Sequence, residues 1–124
     1  MNIGDVFRVH MALTKPQPKT KIVIYVGKHA GIDLFVWFNT DPRKKRPAQK
    51  SVTAQEAPGI THDCFLDCSR VTTFPARELK GAEHQGCASA EFRKRVAQTV
   101  EEQATTLTGM QRKAIARSLR TSAG

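Results

Sequence analysis

Apolar and polar positions alternate over the first half of the chain and recur at helical spacing near its end. Over residues 5–12, Phe7, Val9 and Met11 fall on one face and Val6, Arg8 and His10 on the other, the period of a half-buried strand. The run Ile22-Val23-Ile24-Tyr25-Val26 is β-branched and almost wholly apolar, as a buried strand requires. Leu34-Phe35-Val36-Trp37-Phe38 repeats that character after a turn bracketed by Gly27 and Gly31. The two runs are expected to pair as a hairpin. A short edge strand is expected over 49–53 and a further strand over 63–71. In the latter, Cys64, Leu66 and Cys68 alternate with Phe65, Asp67 and Ser69. A last extended piece is read through Thr72-Thr73-Phe74.

Beyond residue 89 the period changes. Ser89 is a favourable N-cap, and Phe92, Val96, Val100, Ala104 and Leu107 form one apolar stripe. Thr108 and Gln111 have capping-box spacing. They open a second short helix that carries Met110, Ala114, Ile115 and Leu119. Strands followed by helices predict an α+β chain: a small β-barrel of five to seven strands over about 3–80, closed by one or two helices over about 89–120. At 124 residues this is a single domain.

Charge narrows the partners. The chain carries a formal net charge of +9, shared between both halves rather than held in a tail. Nucleic acid or an acidic protein is therefore the expected partner. No apolar run is long enough to span a bilayer. The opening MNIGDVFRVH lacks the basic and apolar regions of a signal peptide, so a cytoplasmic location and three reduced thiols are expected.

Zinc-compatible residues occur at His62, Cys64, Cys68, His84 and Cys87. On a strand, however, Cys64 and Cys68 stand about 13 Å apart, too far for one ion. No metal or other cofactor is expected, and the thiols read as core. Gly27 and Gly31 flank a turn and open no helix, so no phosphate-cradling loop is read there. The second helix carries Arg112, Lys113, Arg117 and Arg120. Packing or a dimer contact accounts for it better than reading of a major groove.

The polar strand ends are more informative. Lys15, Lys19 and Lys21 lie near one end of the first hairpin with His10. Asn39, Thr40 and Asp41, then the cations Arg43, Lys44, Lys45 and Arg46, leave the third strand. Pairing of the second and third strands brings Lys21 and Asn39/Thr40 to the same end. Two cationic loops then flank a groove suited to a single-stranded phosphate backbone. Trp37 and Phe38 are possible stacking surfaces there, although their apolar strand favours the core.

The pattern resembles the MazF/PemK-like toxin superfamily. Gly4-Asp5-Val6-Phe7-Arg8-Val9 is similar to its first-strand signature. The strand Lys21-Ile22-Val23-Ile24-Tyr25-Val26 follows a polar loop in the family's order. Phe35-Val36-Trp37-Phe38-Asn39-Thr40 resembles the strand that ends at the catalytic threonine, and 62–71 resembles a late strand. The resemblance covers roughly residues 3–107. It implies an SH3-like barrel, a homodimer, metal-independent cleavage of single-stranded RNA, and an acidic antitoxin partner. The family's arginine-proline pair before the second strand is replaced by Thr20-Lys21. On this reading Lys21 supplies the cation, Thr40 holds the phosphate, and His10, His62 or Asp41 takes the proton. The alternative is a non-catalytic barrel that binds nucleic acid or an acidic protein.

Overall fold

The structure, a computed structural model, describes residues 1–11, 19–39 and 48–124, with Met11 and Lys19 described by their backbone. The chain is α+β. Six strands, β1 (Asp5–Met11), β2 (Lys19–His29), β3 (Ile32–Asn39), β4 (Gln49–Val52), β5 (Cys64–Thr72) and β6 (Glu83–Cys87), form one antiparallel sheet in the order β4-β5-β3-β2-β1-β6. A short helix, α1 (Ala76–Lys80), precedes β6. Two longer helices, α2 (Ala90–Gln103) and α3 (Gly109–Ser122), end the chain.

The hairpin expected around Gly27–Gly31 is β2–β3, with His29 opposite Ile32 and Val23 opposite Trp37. Both strands are apolar on successive residues because the sheet is covered on both faces. On one face Val6, Ile24, Val26, Val36, Phe38 and Leu66 pack under Phe92, Val96, Val100, Ile115 and Leu119 of the two long helices. On the other, Val9, Val23, Tyr25 and Phe35 pack with Phe7, Trp37, Phe74 and Leu79. Cys64 and Cys68 belong to the helix-covered core, as their alternation with Phe65 and Asp67 required.

Helix boundaries follow the caps. The Ser89 hydroxyl accepts from Phe92 N at 3.1 Å. Thr108 and Gln111 complete a reciprocal capping box. The stripe from Phe92 to Leu107 is buried throughout, but Met110 is 73% exposed and carries none of the second helix's packing. That role falls to Ile115, Ala116 and Leu119. Docking of α3 uses a bulge in β2 between Tyr25 and Gly27. Gly27 has φ +117, and a Cβ there would lie 2.8 Å from Ser118 Oγ. Glycine thus bends the strand and admits the helix.

Two elements lie outside the sequence expectations. The piece through 72–74 is not a separate strand: β5 ends at Thr72, and the chain turns through Pro75 into α1. The sheet then continues past residue 80 with β6, which pairs with β1 through Asp5↔Cys87 and Arg8↔Glu83. Among the described residues β4 and β6 are the sheet's two edges, and no ladder joins them. They approach through the loop over 53–63. Ala57 and Ile60 of that loop enter the core. Gly59, with φ +77, lies so close to β6 that a Cβ would meet Gln85 Cγ at 2.9 Å.

Candidate nucleic-acid groove

The 53–63 loop and β6 roof the polar end of the β1–β2–β3 segment. They border an open-sided cavity of about 400 Å³. Its floor is Arg8 of β1, Thr20, Lys21 and Ile22 of β2, and Phe38 of β3. Its roof is Gly59, Thr61 and Gln85. Arg8 stands directly opposite Ile22 in the β1–β2 ladder, so strand alternation aims it to the same side as Ile22 and Thr20. The roof is held by the loop's own hydrogen bonds. Gln55 N donates to Ile60 O at 2.8 Å, and Ala54 N donates to Asp63 Oδ1 at 2.9 Å. Glu56 fastens the loop to the body through Arg95 at 3.1 Å and Lys50 at 3.7 Å.

The described lining contains the guanidinium of Arg8, hydroxyl and amide side chains, and no carboxylate; Lys21 borders it from β2 while its ammonium lies on the sheet's other face. Arg8 is exposed and makes no hydrogen bond or ion pair among the described residues. Glu83 faces it across the β1–β6 ladder without closing a salt bridge. A guanidinium with open donors beside two threonines and an amide can take a phosphodiester. Such a fork matches two non-bridging oxygens in geometry, and the neutral groups are able to donate to or accept from hydroxyls.

The residues predicted for the site are distributed unevenly around this cavity. Lys21 contributes to the floor. Its Nζ lies 5.5 Å from the Trp37 ring centroid, on the face shared with Val9, its ladder partner. His10 is exposed, and its Nδ1 lies 3.4 Å from Thr20 Oγ1. It lines a neighbouring hollow of about 300 Å³ with Arg77, Glu78 and Gly81. Thr20 thus separates the imidazole from the main cavity. Asn39 ends β3 opposite Phe65, at the same end of the hairpin as Lys21. The backbone of Lys19 pairs with Met11. Lys15, Thr40, Asp41, Arg43, Lys44, Lys45 and Arg46 lie outside the described residues. His62 is exposed beside Thr61, whose Oγ1 lies 3.4 Å from its Nδ1. Phe38 is 1% exposed and stacked on Phe92, so it serves the core rather than a base. Trp37 is half-buried beneath Lys21.

Arg8, Thr61 and Gln85 escaped the sequence reading. Alternation put Arg8 on the face of Val6 and His10, but nothing in the pattern shows that a loop 50 residues later folds over it. Gln85 sits in a strand with no apolar signature.

The thiols are unsuited to chemistry here. Burial raises Cys68 from its ordinary 9.0 to about 12, with a smaller push from the Asp67 carboxylate. Burial likewise raises Cys64 to about 11, with help from Asp63 and Glu56. All three cysteines are free, and Cys87 is the exposed one. Among the described residues no three His, Cys, Asp or Glu side chains form a metal-binding group. No described helix is long and apolar enough to cross a membrane.

Comparison of the chain with protein-family models, with curated proteins and with solved structures returned no match. The reading of the groove therefore rests on its own residues.

Proposed function

We propose that the chain is a toxin-like endoribonuclease acting on single-stranded RNA in the groove between the β1–β2–β3 end and the 53–63 loop. The supporting observation is the roofed cavity, whose described lining sets Arg8 among neutral hydrogen-bonding side chains. The sheet is open, and the reading treats it as a variant of the SH3-like barrel in which the 53–63 loop, packed on Gln85, stands in for a closing ladder.

The chemistry is transesterification. A ribose 2′-oxygen attacks the adjacent phosphorus, the P–O5′ bond breaks, and a 2′,3′-cyclic phosphate and a 5′-hydroxyl result. Arg8 neutralises charge that builds on the phosphorane oxygens, and so fills the place left by the absent arginine-proline pair. Lys21, whose ammonium lies over Trp37 on the sheet's other face, adds only positive potential from a distance. Thr20 lies between the cavity and His10, so the imidazole moves a proton through the threonine hydroxyl. Thr40 and Asp41, outside the described residues, keep the roles expected of them from the sequence. An acidic antitoxin and a second copy of the chain are the partners this reading carries; the formal charge of +9 supports the first.

An RNA with a single 2′-deoxy substitution at the cleaved step tests the mechanism. It is expected to bind with unchanged affinity and to stay intact. Cleavage at the substituted step would rule out 2′-oxygen attack.

A second reading is favoured by the position of His10, outside the cavity and beside Arg77. On it the groove holds RNA, or an acidic protein, without cutting. Salt-sensitive binding of intact RNA by the unmodified protein, with no product, would select it.

A further inference from the structure

The outer surface of the α2–α3 pair carries a second cavity, of about 460 Å³. Its rim is Arg112, Lys113, Arg117 and Arg120, and Gly109 and Ala116 also line it. Helix α3 contains no acidic residue. Lys113 and Arg117 stand four residues apart, and Arg117 and Arg120 three apart, so like charges neighbour one another along the helix. A solvated helix ordinarily relieves such charge with interleaved acids, as α2 does by pairing Glu91 with Arg95. Here the one carboxylate is Glu101, from α2. It accepts from Arg120, while its backbone oxygen faces Arg112 Nη1 at 3.5 Å. Lys113 and Arg117 make no ion pair among the described residues.

We propose that this groove is a docking site for an acidic segment of another protein. The bound segment places carboxylates on Lys113 and Arg117 and an apolar side chain over the exposed Met110. Two features favour a polypeptide over a phosphate backbone. Glu101 already shows a carboxylate held by a guanidinium of this rim. The side chain of Met110, 73% exposed one turn before Lys113, offers apolar surface that a phosphate chain leaves uncovered. The site lies on the helices, and it stands whether or not the sheet groove cuts RNA.

The probe is a fluorescein-labelled 16-residue helical peptide with Glu at three positions spaced four and three apart and Leu beside them. Its counterpart has Gln for each Glu, and a 12-nucleotide oligouridylate is the competing class. Anisotropy at low salt, with amide shifts over residues 109–122, reads binding by the full chain. The peptide is expected to bind. Affinity is expected to fall at least about tenfold for the Gln peptide, for Lys113→Glu/Arg117→Glu and for the milder Lys113→Gln/Arg117→Gln, with oligouridylate affinity held within about twofold. Equal thermal midpoints of the variants establish that the fold is intact. Absence of peptide binding, or binding indifferent to both double variants, would overturn the proposal. Loss of oligouridylate binding alone in the variants would instead assign the surface to nucleic acid.

Discussion

Arg8 is the side chain on which the groove depends. It has open donors, it faces the cavity, and the hydrophobic core does not need it. Arg8→Ala is therefore expected to weaken RNA binding about tenfold or more while the thermal midpoint stays unchanged; hydrogen bonds to charged groups contribute about 1.5–3 kcal/mol. Arg8→Lys should restore only part of the affinity, because an ammonium lacks the bidentate fork. Equal affinities of Arg8→Ala and the unmodified protein, by filter binding, would remove Arg8 from the site. The thiols give a second prediction at this scale. Native protein at pH 8 should take one alkyl group, at Cys87, and the unfolded chain three; mass spectrometry counts them. Buried Cys68 stays neutral in the fold, with its pKa raised from 9.0 to about 12. Its contribution to stability is complete below pH 9 and is lost as pH rises toward 12. Tyr25, raised to about 12 by burial and by its hydrogen bond to Asp33, acts in the same direction. The urea midpoint is thus expected to fall from pH 8.5 to 11, less steeply in Cys68→Ala.

At the scale of elements, caps and core contacts carry separable energies. Ser89→Ala removes the acceptor for Phe92 N and should cost about 1 kcal/mol. Phe92→Ala empties a fully buried site stacked on Phe38 and should cost about 3–5 kcal/mol. Urea unfolding distinguishes the two, and equal costs would contradict this account of α2. The elements legible in the sequence are those whose burial imprints a period. The alternation of β1 and β5, the apolar runs of β2 and β3, and the Phe92–Leu107 stripe each mark a face that must be covered. β6 left no such mark. Glu83-His84-Gln85-Gly86-Cys87 has no buried residue, and its extended state comes from the ladder to β1. The site was legible to the same extent. Lys21, His10 and Asn39 end up near one strand end because alternation and hairpin pairing fix them. Arg8, Thr61 and Gln85 converge only through the 53–63 loop, whose path depends on Ala57 and Ile60 entering a distant core. Met110 failed as a core position because the α3 stripe that meets β2 runs through Ile115 and Leu119.

The whole molecule combines a cationic surface with a groove whose described lining lacks a carboxylate. A formal charge of +9 makes polyanion binding steeply salt-dependent, through release of counterions. On the proposed function RNA affinity should fall log-linearly with salt, and neutralising Arg8 should lower that slope by about one. The most direct test of the central claim is incubation of the purified protein with a long single-stranded RNA in EDTA, beside Arg8→Ala and Lys21→Ala. Discrete fragments ending in 2′,3′-cyclic phosphate, absent with Arg8→Ala, are the predicted result. RNA that stays intact with the unmodified protein, or fragments that persist undiminished with Arg8→Ala, would contradict it.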